Sequence, residues 1–328
     1  MRIAVVGAGS WGTALAIQAA RAGHPVKLWG RPGPTFDGLH AQRENVRYLP
    51  GVRLPATVDP VGDLSAAARD AEAAIVVVPS ESCRSVYAAL HTVLPASALI
   101  VSATKGMEIE SRLRMSEVAE IEAAGRHVAV LSGPSFAREV ADAQPTAVVV
   151  ACRDASAAET LQDALSTQAF RIYTSDDVIG VELAGALKNV IAIAAGLVDG
   201  LGYGHNTVAA LITRGLSEIT RFVVASGGQS DTLAGLAGLG DLVLTCTGSL
   251  SRNRALGQAL GRGRTLEEAL GAVGGVAEGV RTTNAAAEMA VRAGVEMPIV
   301  FEMHDVLQHG RSPEEAVVAL MLRSLKRE

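Results

Sequence analysis

Residues 2–16 read Arg2-Ile-Ala-Val-Val-Gly-Ala-Gly-Ser-Trp-Gly-Thr-Ala-Leu-Ala16. The apolar run before the glycines predicts a buried strand, and the run after them predicts a helix. Between the two, Gly7 can make the tight turn, Gly9 leaves room for a pyrophosphate, and Gly12 lets the helix pack closely on the strand. A bound anion would face the positive end of that helix. Because a second strand-like run follows at residues 25–29, we favour a dinucleotide site over a glycine-rich turn that merely fits a tight corner.

Length and composition indicate two folded domains without a nucleic-acid surface. A chain of 328 residues exceeds a typical single core, and 49% hydrophobic residues can fill large ones. The net charge of -5 argues against a nucleic-acid partner. We see no signal peptide, and the most apolar run, residues 189–198, is too short for a membrane span. The cysteines are odd in number and widely spaced: Cys83, Cys152 and Cys246. This pattern indicates reduced thiols, and hence a cytoplasmic protein.

The pattern of the chain changes near residue 178. Before it, β-branched runs predict strands at residues 73–79, 98–103, 127–131, 146–151 and 170–173. Residues 32–60 are interpreted as a connection with a short helix or two. From residue 178 onward, helices are predicted at residues 178–198, 207–226, 254–260, 265–270, 281–293, 299–307 and 313–325. The sequence therefore predicts an α/β, Rossmann-type, mostly parallel sheet domain (1–177) followed by an all-helical domain (178–328).

Lysine usage points to one candidate acid. Of the 29 basic residues only four are lysines, Lys27, Lys105, Lys188 and Lys326. Lys188 has almost only small or apolar neighbours, and no carboxylate lies three or four residues from it to neutralise it. A buried lysine, unlike arginine, can lose its proton and act in proton transfer. The alternative is a lysine that reaches the surface by its long stem. Lys105 follows a predicted strand at the carboxyl edge of the sheet, where ligands gather.

Arg31 bears on the choice of coenzyme. Rossmann units that bind NAD present an acidic residue to the ribose 2′-hydroxyl roughly 20 residues past the glycine loop. No Asp or Glu stands there, and Arg31 could pair with a 2′-phosphate instead. NADPH is therefore favoured and NADH stays open. An ordinary solvated arginine is the alternative.

Residues 235–254 combine a glycine-rich turn with one carboxylate, Asp241, and a polar cluster at the start of a helix. Ser251, Arg252 and Asn253 could form a phosphate receptor at that helix N-terminus, although their spacing alone favours a helix cap. For residues 274–279, a lid over the cofactor and a simple turn between helices both stay open.

The sequence around the histidines gives no clear catalytic or metal site. His205 lies in a turn-like segment, which favours a structural role over a catalytic one. His304 and His309 have no third ligand at hand in the sequence, so no metal site is predicted.

Five segments together resemble the bacterial NAD(P)-dependent glycerol-3-phosphate dehydrogenases. They are residues 7–14, Ser102-Ala-Thr-Lys-Gly106, Leu131-Ser-Gly-Pro-Ser-Phe-Ala137, Leu187-Lys-Asn-Val190, and Gly238-Leu-Gly-Asp-Leu242 with residues 245–253. The first is shared by many dehydrogenases, whereas the others in this order are specific. The resemblance implies reduction of dihydroxyacetone phosphate to sn-glycerol 3-phosphate for phospholipid synthesis, with a homodimer left open.

The resemblance also implies roles for individual residues. It makes Lys188 the proton donor to the C2 carbonyl oxygen and Asp241 its partner, with Asn189 and Thr245 nearby. It places Ser251, Arg252 and Asn253 at the substrate phosphate, replacing the cap interpretation. Further substrate contacts would be Lys105, Gly133 and Ser135. Cofactor contacts, beyond Gly7, Gly9 and Gly12, would be Ser10, Trp11, Arg31, Lys105, Ala137, Arg252, Val276 and Glu278.

Two rival hypotheses remain at this point. Another reductase of the same architecture could use a lysine acid on a small keto acid, with the cluster at residues 251–253 binding its carboxylate. A non-catalytic NADPH-binding sensor would bind cofactor without turnover, but it gives no reason for Lys188 beside Asp241.

Overall fold

The computed structural model describes residues 1–274 and 277–323. The chain divides into two compact units. The first comprises Met1–Lys105 and Leu113–Glu182, and the second comprises Gly106–Arg112 and the residues from Leu183 onward. The domain boundary at residues 177/178 stays a prediction.

An eight-stranded sheet forms the centre of the first unit. Its strands follow the spatial order β3-β2-β1-β4-β5-β6-β7-β8. Neighbours pair in parallel except β6 and β7, which are antiparallel. This confirms the predicted Rossmann-type, mostly parallel sheet. The strands are β1 (Ile3–Val6), β2 (Val26–Trp29), β3 (Val58–Val61), β4 (Ala73–Val76), β5 (Leu99–Ser102), β6 (Val128–Ser132), β7 (Thr146–Cys152) and β8 (Phe170–Ser175).

Strand β3 was not predicted, because its sequence is Val58-Asp-Pro-Val61. Proline cannot donate a ladder hydrogen bond, so it is tolerated in a sheet at an edge. β3 is the edge strand beside β2, which satisfies that condition. The segment interpreted as a connection therefore ends in a strand.

Helices cover both faces of the sheet. Every residue of the central strands β1 and β4 is buried. Alternate side chains point to opposite faces, so that Val5 and Ile75 join one apolar cluster while Val6 and Val76 join the other. The helices are α1 (Ser10–Arg21), α2 (Pro34–Gln42), α3 (Leu64–Ala68), α4 (Ser80–Val93), α5 (Met115–Glu122), α6 (Ala137–Ala141) and α7 (Ala155–Leu165).

From residue 178 to residue 323, the described residues form helices joined by turns and loops and no strand, which confirms the predicted all-helical part of the fold. The helices are α8 (Val178–Gly200), α9 (His205–Ala225), α10 (Asp231–Ala234), α11 (Asp241–Thr247), α12 (Arg252–Gly261), α13 (Leu266–Val273), α14 (Glu278–Ala293), α15 (Pro298–His309) and α16 (Pro313–Met321). One interpretation was wrong: the glycine-rich turn before Asp241 is a π-helical turn, Leu236–Gly240, and Asp241 begins α11. The two glycines of the π-helical turn are poor helix formers, and the β-branched Val243, Thr245 and Thr247 lower the helix propensity of α11, which hid both elements.

Helix α8 is long and apolar enough to cross a membrane by length and composition alone, which the prediction from residues 189–198 missed. However, 94% of its most apolar 18-residue window is buried inside the protein, as is typical of a core helix. The hydrophobicity of α8 is therefore explained by its place in the protein core.

Glycines set the contact between α8 and α12. A Cβ atom on Gly196 would lie 2.0 Å from the Arg254 carbonyl oxygen, and one on Gly257 would lie 2.0 Å from the Ile193 carbonyl oxygen. Gly200 and Gly261 meet the opposing backbone in the same way. Both helices thus carry glycines four residues apart, and their backbones are in direct contact. This fixes the start of α12 relative to α8.

We expect Gly257→Ala to lower the free energy of unfolding by about 2–3 kcal/mol, because the added methyl group must push the two backbones apart. Urea denaturation followed by circular dichroism measures the change. Gly271→Ala is the matched control, since Gly271 also lies within a helix but a Cβ there meets nothing within 4 Å. That control should be neutral or stabilising. Equal stability of the two variants would contradict the packing argument.

Candidate functional site

The glycine loop has the geometry that its sequence predicts. Gly7 has a φ of +125°, and a Cβ there would lie 2.5 Å from the Val77 carbonyl oxygen. A Cβ on Gly12 would lie 1.8 Å from the carbonyl oxygen of Gly7, so this helix packs tightly on the loop. A Cβ on Gly9 meets nothing within 4 Å, which leaves open space at the N-terminus of α1. The residues fit a pyrophosphate cradle.

Residues from the segment before β3 hold this loop in place. Buried Asn45 donates from Nδ2 to the Ala8 carbonyl oxygen at 3.0 Å and to Thr13 Oγ1 at 2.8 Å. The Ser10 hydroxyl donates to the Tyr48 carbonyl oxygen. Sequence analysis missed Asn45, since nothing in its local pattern links it to a loop more than 30 residues away.

Trp11 presents a polar atom that a ligand could satisfy. Within residues 1–274 and 277–323, its buried indole Nε1 has no hydrogen-bond partner. Buried donors are normally paired, so an orphan beside a nucleotide-type loop fits a site that a cofactor completes. Arg31 is exposed just past the end of β2, at the position predicted for a 2′-phosphate contact. Ala137 is the first residue of α6.

Three predicted substrate residues come together at the carboxyl ends of β5 and β6. Lys105 Nζ donates to the Gly133 carbonyl oxygen at 3.0 Å, and Ser135 Oγ donates to the same oxygen at 2.9 Å. Gly133 has a φ of +136°, and a Cβ there would lie 2.9 Å from Val148 Cα. The shared acceptor fixes a half-buried ammonium and a hydroxyl side by side.

A buried ion pair lies in the second unit. The Lys188 side chain is 8% exposed and that of Asp241 is 1% exposed. Lys188 Nζ donates to Asp241 Oδ1 and, at 2.8 Å, to Thr245 Oγ1. The Thr245 hydroxyl in turn donates to the Asp241 main-chain oxygen at 2.6 Å. Lys188 therefore does not reach the surface by its stem, and two of its three N–H donors are fixed by α11.

The electrostatics of this pair depend on both partners. Removing a lysine and an aspartate from water is costly unless each compensates the other. Asp241 is the first residue of α11, where the helix dipole also favours a carboxylate. Burial raises the pKa of the neighbouring Cys246 thiol to about 12, against the opposing effect of the Lys188 charge. Since that thiol stays neutral, Asp241 is the anion that Lys188 meets on this helix.

A hydrogen-bond chain ties the predicted phosphate residues to the helix of Lys188. Asn253 Nδ2 donates to Asn189 Oδ1 at 3.0 Å, and Asn253 Oδ1 accepts from the Gly279 N–H at 3.2 Å. A Cβ on Gly279 would lie 2.7 Å from Asn253 Oδ1, so the start of α14 can approach because this residue is glycine. Asn189 and Asn253 are therefore held together beside Lys188.

Ser251 is the N-cap of α12, and its Oγ accepts from the Arg254 N–H at 3.2 Å. The cap interpretation from spacing is thus what the structure shows, and the hydroxyl proton remains able to donate to a phosphate oxygen. Exposed Arg252 lines a cavity of about 420 Å³ together with Ser249, Arg262 and Arg264. The cavity runs along α12, with Arg252 at the helix N-terminus and Arg262 and Arg264 past its C-terminal end. The N-terminal part, with Arg252 and the free N–H groups of the first turn, suits a phosphate dianion.

Three further residues were considered from the sequence, Val276, Glu278 and His205. Val276 falls outside the described residues. Glu278 is the first residue of α14. His205 is the exposed first residue of α9, and its structural role stays a prediction.

Comparison with known proteins agrees with the geometry. Two protein-family models match successive parts of the chain. The model of the NAD-dependent glycerol-3-phosphate dehydrogenase N-terminus matches residues 2–158, and the model of the C-terminus matches residues 177–318. The glycerol-3-phosphate dehydrogenase (NAD(P)+) of Citrifermentans bemidjiense is 51% identical over 330 residues, which covers 100% of this chain and 98% of the relative. The chain belongs to the NAD-dependent glycerol-3-phosphate dehydrogenase family.

Other members of this dehydrogenase family resemble it over similar lengths. The glycerol-3-phosphate dehydrogenase (NAD(P)+) of Moorella thermoacetica is 51% identical over 98% of this chain and 96% of the relative. The crystal structure of glycerol-3-phosphate dehydrogenase from Coxiella burnetii has 43% identity and a TM-score of 0.95, covering 98% of this chain and 99% of that one. The family's fold, an α/β sheet unit and a helical one, is the fold described above.

Proposed function

We propose that the chain catalyses the reversible NADPH-dependent reduction of dihydroxyacetone phosphate to sn-glycerol 3-phosphate. As a family member it is an NAD(P)-dependent oxidoreductase. The observation that carries the proposal is the buried Lys188–Asp241 pair, linked through Asn189 and Asn253 to the start of α12. Membership of this family argues against the two rival hypotheses, a keto-acid reductase and a non-catalytic sensor.

Lys188 is the general acid of the proposed reaction. Reducing a ketone builds negative charge on its oxygen, and an ammonium stabilises that charge and then donates the proton. In the reverse direction the same nitrogen accepts the proton from the C2 hydroxyl. Asp241 and Thr245 hold Nζ in position while this happens. NADPH, when bound, supplies the hydride.

The substrate phosphate supplies binding energy away from the reacting carbon. Ser251, Arg252 and Asn253 at the start of α12 bind the dianion, as charged and polar donors at a helix N-terminus can. This binding energy positions the C2 carbonyl. Lys105, Gly133 and Ser135 act as further substrate contacts, with Lys105 also near the cofactor.

The cofactor residues follow the loop geometry. Gly7, Gly9 and Gly12 cradle the pyrophosphate at the N-terminus of α1, with Ser10 and Trp11 in its first turn. Arg31, Ala137, Arg252, Val276 and Glu278 complete the proposed cofactor set.

The proposed role of the enzyme is to supply sn-glycerol 3-phosphate for glycerophospholipid synthesis in the cytoplasm. All three cysteines are buried free thiols, which suits a reducing compartment. A homodimer stays open, and sedimentation of the purified chain will decide it.

NADPH oxidation followed by absorbance tests the reaction directly. We expect turnover with dihydroxyacetone phosphate, much less with dihydroxyacetone, and none with pyruvate or other small keto acids. Turnover of keto acids alone would favour the rival reductase. Cofactor binding without turnover of any ketone would favour the sensor.

Arg31→Asp should move the coenzyme preference toward NADH. The ratio of kcat/KM for NADPH to that for NADH should fall roughly 10- to 100-fold, because a carboxylate repels the 2′-phosphate and can accept from the 2′-hydroxyl. Steady-state kinetics with both coenzymes measure it. Arg171→Asp on the edge strand β8 is the charge-matched control and should leave the ratio unchanged. An unchanged ratio in the Arg31 variant would place the 2′-phosphate elsewhere.

A further inference from the structure

Three side chains that can ligate a metal ion meet at the C-terminal end of α15. His304, Asp305 and His309 each offer one ligand atom, and these atoms lie within 4.8 Å of one another. Sequence analysis found no third ligand for the two histidines because it overlooked the adjacent carboxylate. We propose that these three residues bind one late first-row divalent transition-metal ion, of which Zn²⁺ is the representative.

The orientation of His304 is already set. Its Nε2 lies 3.1 Å from Asn284 Oδ1 on α14. An amide oxygen can only accept, so Nε2 donates to it and Nδ1 is the ring atom left to ligate a metal. That nitrogen lies 3.7 Å from Asp305 Oδ1. Histidine ligands of metals typically donate their other N–H in this way, which fixes the tautomer and the ring.

The two carboxylate oxygens of Asp305 face different neighbours. Oδ2 lies 3.6 Å from Arg311 Nη1, whereas Oδ1 faces His304. Arg311 also lies 2.7 Å from Glu302 Oε2, so its charge is shared with a second carboxylate. Asp305 Oδ1 and His304 Nδ1 are therefore two potential ligand atoms that face each other, and a metal ion between them would compensate the carboxylate charge.

The distances suit a small ion after a modest side-chain movement. Ligand atoms about 2.0–2.2 Å from Zn²⁺ in a tetrahedron lie about 3.4 Å apart. The separation between His304 and Asp305 is near this value, and His309 is exposed and can rotate toward them. His309 is also the last residue of α15, where the helix dipole favours a cation.

The donor set indicates the class of metal. Two imidazoles and one carboxylate suit zinc, copper, cobalt or nickel, whereas Mg²⁺ and Ca²⁺ prefer sets made of oxygen ligands. Three protein ligands leave a coordination position for water.

The test is a titration of untagged, chelator-treated protein with Co²⁺ and then Zn²⁺. We expect a visible d–d absorption band that saturates at one Co²⁺ per chain and is removed by Zn²⁺. Calorimetry with Zn²⁺ should give the same stoichiometry, and Mg²⁺ should give no binding heat. The melting temperature should rise with Zn²⁺ concentration, as it does whenever a ligand binds only the folded state.

Variants assign the ligands. His309→Gln and Asp305→Asn should abolish the saturable Co²⁺ band, and His309, being exposed, can be changed without disturbing the fold. Asn284→Ala should weaken binding about 10- to 100-fold, because it removes the group that orients His304. His40→Gln, which removes an exposed histidine from α2, is the matched control and should leave binding unchanged.

Three outcomes would overturn the proposal. One is the absence of saturable binding at millimolar Co²⁺ or Zn²⁺, as expected if His304 is simply a protonated ion-pair partner of Asp305. Another is binding that persists in both His309→Gln and Asp305→Asn. The third is an intense thiolate charge-transfer band, which would place the metal on a cysteine instead.

Discussion

Replacing Lys188 by methionine should lower kcat roughly 10³- to 10⁴-fold while leaving NADPH affinity near normal. The side chain volume is similar, but the variant has neither a proton to donate to the carbonyl oxygen nor a charge to stabilise it. Lys188→Arg restores the charge without a transferable proton and should recover only part of the loss. Steady-state turnover with dihydroxyacetone phosphate and fluorescence titration with NADPH measure the two quantities.

Loss of Lys188 affects the stability of the protein as well as its activity. Removing Lys188 takes away the ammonium that compensates the buried Asp241 charge, at a cost of about 3–5 kcal/mol. The double variant Lys188→Met with Asp241→Asn removes both charges and should regain most of that stability without regaining activity. Lys27→Met is the matched control, since Lys27 donates to the Ala66 carbonyl oxygen on the sheet unit and has no proposed role. Turnover retained in Lys188→Met would remove Lys188 from the mechanism.

The sheet was largely predictable because buried parallel strands are encoded locally. Runs such as Ile3–Val6 and Ala73–Val76 are apolar on both faces, and the glycine loop needs three glycines at fixed positions. β3 escaped because its Asp59 and Pro60 are tolerated only through its place at the edge of the sheet. Edge position is a property of the assembled sheet, which no local pattern reveals.

The candidate site was predictable in its residue types but not in its contacts. The isolation of Lys188 within an apolar run pointed to it, whereas its partner Asp241 lies 53 residues away along the chain. The π-helical turn before Asp241 contains two glycines, Gly238 and Gly240, which have weak helix propensity. Asn45 and the paired glycines of α8 and α12 act only through tertiary contacts. Recognition of the family motifs supplied the pairings that spacing could not.

Arg252→Ala should lower kcat/KM for dihydroxyacetone phosphate roughly 100-fold and change kcat/KM for unphosphorylated dihydroxyacetone by less than about threefold. A charge-assisted contact to a phosphate contributes up to about 3 kcal/mol, and only the phosphorylated substrate can lose it. Because Arg252 is exposed and lies at the first position of α12, the substitution removes no buried contact of the fold. Thermal melting of the variant checks that point.

The two neighbouring arginines make this prediction specific. Arg262 and Arg264 line the same cavity, so Arg262→Ala and Arg264→Ala change the charge of the cavity by the same amount. If the phosphate binds at the N-terminus of α12, these variants should lose far less than Arg252→Ala, because their side chains start at the other end of the helix. Equal losses on the phosphorylated and unphosphorylated ketones would contradict a phosphate role for Arg252. A larger, phosphate-specific loss in either control would instead move the phosphate toward the C-terminal end of α12.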